Sequence, residues 1–278
     1  WLKFWSGAAM ALDRRALRTQ LRAAKCRAVK PRPTATPGGA VGVMEFGHEE
    51  LPRPVQIAQK TAAGAAALDQ RESTIHTLVW PCSPLFARFL CDPKNRGLFE
   101  GKTVLELGAG NGLPGIVAGM LGAKSVVITD VNDALPLIRK NVEVNEVQGN
   151  VTVAELFWGR EEHMTALEKP FDLIIGTDLI ANMHEETYAD LVRTLRHFSG
   201  PETLILIAYE FRGDMWNDHH FFDGMDSWFH DENGSLAPYA EDFSFAAAGC
   251  SEAELGDPDD YMLFRYRMKS DSERTGEF

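Results

Sequence analysis

The chain has 278 residues, 45% of them hydrophobic and 24% charged, enough apolar material for one large domain or two small ones. Its 28 Lys and Arg against 40 Asp and Glu give a net charge of −12, which makes nucleic acid a poor default partner. No run of about 18 apolar residues escapes interruption, which removes a membrane-spanning helix and leaves no membrane partner. Four cysteines without CxxC spacing point to reduced thiols in a cytoplasmic setting rather than a secreted disulfide framework.

Residues 1–43 carry nine basic residues against one acid, Asp13, so the remainder is more acidic than the whole. This leader ends in the breaker-rich run PRPTATPGG and is expected as a flexible extension, with the folded domain over 44–278. Its Arg-rich, acid-poor composition suits a targeting segment, which would move the protein to an organelle or the nucleus. Because the chain opens on Trp1, the start of the protein is expected upstream, at Met10 or at Met44.

Beyond the leader, TLVWPCSPLFARFL places Trp80 ahead of a helix expected to be capped by Ser83, with Pro84 at its first position. Strongly apolar strands are then expected at 103–107, 125–129, 150–156, 171–177 and 203–209. The intervals between them are long enough for crossover helices, the pattern of a buried parallel sheet. Asn132 is expected to cap a helix running to about Asn145, and Tyr188, Leu191, Leu195 and Phe198 recur at helical spacing on a segment starting near Glu185. The stretch DMWNDHHFFDGMDSWF reads as a lid or edge helix; its Asp218, His219, His220 and Asp223 resemble a metal site only superficially, and no metal is expected. The last runs, 243–248 and 261–269, lie too close for a crossover helix and are expected to form an antiparallel pair.

The segment VLELGAGNGLPG carries the chemistry. Glu106 ends a strand, and Gly108, Ala109, Gly110 and Gly112 form a turn that opens a helix. Glycine is needed where backbone passes close to a ligand or takes positive φ, and the helix start offers free amides. Gly110, Gly112 and Gly115 also satisfy GxGxxG, the dinucleotide fingerprint, but the match begins two residues late. Asp130, closing the next strand, stands where an acid would hydrogen-bond a ribose diol in either cofactor class. The antiparallel C-terminal pair discriminates between them, because the doubly wound dinucleotide fold is parallel there.

The E-x-G-x-G pattern resembles the first motif of the S-adenosylmethionine-dependent methyltransferases. With Trp80, the ELFWG turn, IIGTDLIAN and the late AYEFR, the chain is similar over roughly 74–269 to the family-16 (methyltransferase-like 21) protein-lysine methyltransferases. That resemblance implies an α/β fold: a Rossmann-like seven-stranded methyltransferase sheet, mostly parallel with an antiparallel C-terminal hairpin and helices on both faces. It also implies S-adenosyl-L-methionine as cofactor and an accessible protein lysine as acceptor. Carried over by position, Trp80, Glu106, Gly108, Ala109, Gly110, Gly112, Asp130, Trp158 and Thr177 would contact or shape the cofactor site, and Asp178 would orient the acceptor amine. An indole can stack on adenine or face the sulfonium, and a carboxylate can accept two ribose hydroxyls.

One departure is plain. The family's Asp-x-x-Tyr is Asp178-Leu179-Ile180-Ala181 here. Tyr209 is then either an aromatic wall of the acceptor site or a packed core residue. The missing tyrosine keeps two alternatives open: transfer to histidine or a small-molecule amine, and a non-catalytic cofactor-binding interaction protein.

Overall fold

The computed structural model describes residues 41–60, 78–181, 183–211, 217–232 and 260–275. Nine strands fall in them: β1 (Val41–Phe46), β2 (Val55–Lys60), β3 (Thr103–Leu107), β4 (Ser125–Asp130), β5 (Val151–Glu155), β6 (Leu173–Thr177), β7 (Leu204–Glu210), β8 (Phe229–Asp231) and β9 (Tyr261–Met268). The α-helices are α1 (Cys82–Cys91), α2 (Leu113–Met120), α3 (Leu135–Val144), α4 (Glu161–Thr165), α5 (Glu185–Phe198) and α6 (His219–Trp228).

Seven strands make one sheet in the order β5-β4-β3-β6-β7-β9-β8. β5, β4, β3, β6 and β7 are parallel, while β9 runs antiparallel between β7 and β8. The period of two decides which core each side chain enters. Val104, Leu173, Ile175, Leu204 and Leu206 meet α1, α2 and α3 on one face, and Leu105, Ile174, Ile205 and Ile207 meet α5 and α6 on the other. Both faces are covered, which is why these strands read as continuous apolar runs.

The five parallel strands stand where expected, β3 at the expected bounds and the others with ends shifted by at most two residues. The expected 243–248 strand lies outside the described residues, as do residues 1–40. β9 is present, and its described neighbours are β7 and the short β8. Phe229, read as the end of a helix, opens β8 instead, because it enters the core of a sheet edge that β9 supplies. β1 begins at Val41, three residues before the boundary drawn at Met44.

Two caps differ from expectation. α1 starts at Cys82, with Pro81 at its N-cap position in helical conformation and Ser83 buried inside the first turn. Proline's fixed φ begins the helix before Ser83 can cap it. Asn132 opens a short 3₁₀ turn, Asn132–Ala134, and α3 follows with no side-chain cap and a proline in its first turn.

β1 and β2 form a separate antiparallel hairpin outside the seven-stranded sheet. α3 supplies what a neighbouring strand would. Asn141 Oδ1 accepts the Ala58 amide at 2.8 Å and Asn145 Oδ1 accepts the Gln56 amide at 2.8 Å. Asn145 Nδ2 donates to Gln56 O at 2.7 Å. Both asparagines are buried, so the amide side chains satisfy backbone groups that burial would otherwise leave unpaired.

Candidate functional site

The C-terminal ends of β3, β4 and β6 gather most of the expected residues on one edge of the sheet, the usual ligand edge of an open α/β fold. At the end of β3, Glu106 is almost wholly buried, and its Oε2 accepts the Gly115 amide at 3.0 Å. Gly115 is glycine because a Cβ there would strike Glu106 Oε2 and lie 2.7 Å from Ile128 Cγ1. Burial pushes the Glu106 carboxyl up to about 8, aided by the charge of Asp130 and opposed by the Gly115 hydrogen bond. Glu106 therefore works from beneath the loop, as a largely protonated acid that holds the start of α2.

The turn itself needs its glycines. Gly108, Gly110 and Gly112 take φ of +54°, +60° and +81°, values that suit residues without a Cβ. A Cβ on Gly108 would lie 2.7 Å from Leu179 Cδ2 and 3.1 Å from Trp158 Cζ2. Thus the loop after β3, the turn after β5 and the loop after β6 converge on Gly108.

Hydrogen bonds fix the rest of the turn. The Ala109 amide donates to Thr129 O at 3.0 Å and the Gly110 amide to Asp130 Oδ2 at 2.7 Å. Asp130 Oδ1 accepts the Val131 amide at 2.7 Å. The Asp130 carboxylate thus lies against the backbone of the glycine turn, at the end of β4. Asn111, buried, donates to Leu78 O at 2.9 Å and accepts from Asn141 Nδ2 at 3.0 Å. That contact ties the glycine loop both to the segment carrying Trp80 and to α3.

Trp158 is half-buried, and the following Gly159 (φ +74°) donates its amide to Thr194 Oγ1 of α5 at 2.9 Å. Trp80, also half-buried, accepts the Ser83 amide through its carbonyl at 3.0 Å. Thr177 ends β6 opposite Ala208 of β7. Asp178 follows with φ +56°, a conformation that Asp tolerates better than most residues. Its amide donates to Ala208 O at 2.8 Å, and its Oδ1 accepts the Glu210 amide at 3.2 Å.

Tyr209 takes the packed alternative. Its ring is buried with Phe222 and Phe264 at centroid distances of 6.4 and 6.1 Å, and its hydroxyl donates to Asp218 Oδ2 at 2.7 Å. Sequence reasoning gave no site role to Asn111, Asn141, Leu179, Tyr188 or Asp218, whose partners only the fold brings together; the asparagine flanked by loop glycines offered a local signal. Among the described residues no group of three or more His, Cys, Asp or Glu is placed to hold a metal ion, and no helix is long and apolar enough to cross a membrane.

The residues fit an adenosyl cofactor. Gly108, Gly110 and Gly112 leave the turn after β3 without side chains at three positions, Asp130 sets a carboxylate against the Gly110 amide, and Trp158 packs at Gly108. The antiparallel β9 sets the sheet apart from the all-parallel dinucleotide fold.

Comparisons with known proteins agree with that geometry. A family profile described as lysine methyltransferase matches residues 64–228. The zebrafish (Danio rerio) protein N-lysine methyltransferase METTL21A is 37% identical over 147 residues, covering 52% of this chain and 65% of that protein. The mouse (Mus musculus) METTL21A is 36% identical over 185 residues, covering 62% of this chain and 76% of that protein. The chain thus spans just under two thirds of the zebrafish relative's length. A solved Streptococcus mutans structure of a proposed S-adenosylmethionine-dependent methyltransferase superposes with a TM-score of 0.50 at 16% identity, covering 84% of this chain and 57% of that one. At that identity the likeness is one of fold.

Proposed function

The chain belongs to the lysine methyltransferase family, and from that premise we propose that it transfers a methyl group from S-adenosyl-L-methionine to a lysine side chain of a protein. The observation that carries the reading is the Asp130 carboxylate hydrogen-bonded to the amide of Gly110, beside the Gly108 position that no side chain can occupy. When bound, the cofactor supplies an activated sulfonium methyl.

This chain's residues then have four tasks. Gly108, Ala109, Gly110 and Gly112 admit the cofactor's methionine part along bare backbone, with Glu106 holding the loop from below. Asp130 accepts from the ribose hydroxyls. Trp158 and Trp80 cover the adenine and face the cationic sulfur, with Thr177 at the floor. Asp178 orients the acceptor amine by charge-assisted hydrogen bonding rather than removing its proton. A lysine with an ordinary pKa of about 10.4 reaches its neutral form more easily in a dry pocket near a positive charge. The acidic body attracts basic protein segments at long range. The cysteine pattern favours a reducing, cytoplasmic setting.

A second reading rests on Ala181, which stands where the family carries tyrosine: the acceptor is then a histidine or a small amine. Transfer from tritiated cofactor to lysate proteins, followed by acid hydrolysis, separates the two. Label eluting as methyl-lysine supports the first reading, label eluting as methyl-histidine or recovered in small molecules supports the second, and cofactor binding without any transfer leaves a binding protein.

A further inference from the structure

The loop between β6 and α5 carries Asp178, and it is held at three points. Its start is fixed by the two hydrogen bonds Asp178 makes with β7. Its middle is fixed by Leu179 and Ile180, both buried, with Leu179 wedged against the Gly108 and Gly176 positions. Its end is fixed by a side chain the proposed chemistry does not use: the Met183 amide donates to Tyr188 Oη at 3.0 Å.

Tyr188 is fully buried on α5, and its hydroxyl donates in turn to Asp218 Oδ1. The other oxygen of Asp218 accepts the Tyr209 hydroxyl at 2.7 Å. Asp218 itself is 2% exposed. A phenylalanine at 188 would pack against Phe221 as the tyrosine ring does, but would take this hydroxyl away from the buried Asp218 and from the Met183 amide. The hydroxyl is therefore explained by its bonds, not by its bulk. The Tyr188 O–H donates to Asp218 Oδ1, so the oxygen's lone pairs are left for the loop amide. Donating to Asp218 also polarises the hydroxyl and strengthens the bond it accepts. Burial, then the Asp218 bond, pushes the phenol well above its ordinary value, so it stays a neutral donor across physiological pH.

We infer that Tyr188, oriented by Asp218, is a positioning residue for the acceptor side of the site: it anchors the far end of the loop whose near end presents Asp178. This inference rests on the methyl-transfer reading for its functional half, while the anchoring itself is readable without it. The loop's own position 181 is alanine, so the hydroxyl that steadies this loop comes from beneath it, on α5.

The test uses the full chain with Tyr188→Phe and Asp218→Asn, and Phe221→Leu as a packing control that keeps every hydroxyl. Hydrogen exchange at the Met183 amide is expected to quicken at least tenfold in Tyr188→Phe, and S-adenosylmethionine affinity by calorimetry to stay within twofold. With dialysed cell lysate as acceptor, the half-saturating lysate concentration is expected to rise at least fivefold, while the maximal rate changes less. Asp218→Asn is expected to move both readouts in the same sense, which keeps the test decisive should Tyr188→Phe fail to fold. Phe221→Leu is expected to lower the melting temperature without moving either. Unchanged Met183 exchange in Tyr188→Phe, or the same half-saturation shift in Phe221→Leu at matched stability, would overturn the inference. Should the wild-type chain transfer no methyl at all, the methyl-transfer reading fails, and the Met183 exchange alone decides whether Tyr188 anchors the loop.

Discussion

Gly108 and Leu179 meet across the top of the sheet so closely that a Cβ on the glycine would sit 2.7 Å from Leu179 Cδ2. The glycine loop after β3 and the loop after β6 are thereby packed into one body. A shift in either is felt by the other, since interiors at this density have two arrangements or one, not a continuum.

Gly108→Ala should therefore be severe. The substitution meets both a φ of +54° and the Leu179 and Trp158 contacts. A loss of about 2–4 kcal/mol of stability is expected from strain and overpacking together, read as a lowered denaturant midpoint, with cofactor binding lost in the fraction that remains folded.

Asp130→Asn tests the ribose contact. The asparagine can accept only one of the two backbone amides, that of Gly110 or that of Val131, so the loop is expected to hold with a modest fall in melting temperature. Cofactor affinity is expected to fall at least tenfold, which is ~1.4 kcal/mol, measured by calorimetric titration.

Much of this was legible in the sequence, for identifiable reasons. The central parallel strands β3, β6 and β7 are buried on both faces, so they read as strongly apolar runs. The glycine turn was legible because positive φ and close approach select glycine at Gly108, Gly110 and Gly112. The start of α5 at Glu185 was legible too, but two helix caps were not: α1 begins at Cys82, ahead of Ser83, and a 3₁₀ turn from Asn132 precedes α3. Nor were the asparagines of α3, whose partners in the β1–β2 hairpin lie more than 80 positions away in the chain. Tyr188 looked like one more apolar tooth of an amphipathic helix; only the fold brings Met183 and Asp218 to its hydroxyl.

Glu106 makes stability depend on pH. Its folded value of about 8 stands above the ordinary 4.5, so between those two values the folded chain keeps a proton that the unfolded chain has released. Its contribution is full below the lower value and is lost as pH rises through the upper one. Glu106→Gln retains an oxygen for the Gly115 amide and cannot ionise. Its melting temperature is expected to vary less than the wild type's between about pH 5 and pH 8, and to exceed it at the alkaline end.

Asp178→Asn separates acceptor handling from cofactor binding. The side chain meets the Glu210 amide through Oδ1, a bond asparagine can keep, while the charge that orients an ammonium is removed. Transfer rate is expected to fall about 100-fold with cofactor affinity within about twofold, the pattern of an interaction made on the acceptor side only. Equal losses in both would place Asp178 at the cofactor instead.

The most direct measurement is mass spectrometry of a cell lysate incubated with the wild-type chain and cofactor bearing a trideuteromethyl group, with Asp130→Asn at limiting cofactor as the comparison. The expected result is trideuteromethyl on the ε-nitrogen of a protein lysine, strongly reduced with Asp130→Asn. Label confined to histidine or to small molecules, or no label while calorimetry shows the cofactor bound, would contradict lysine methyl transfer by this site.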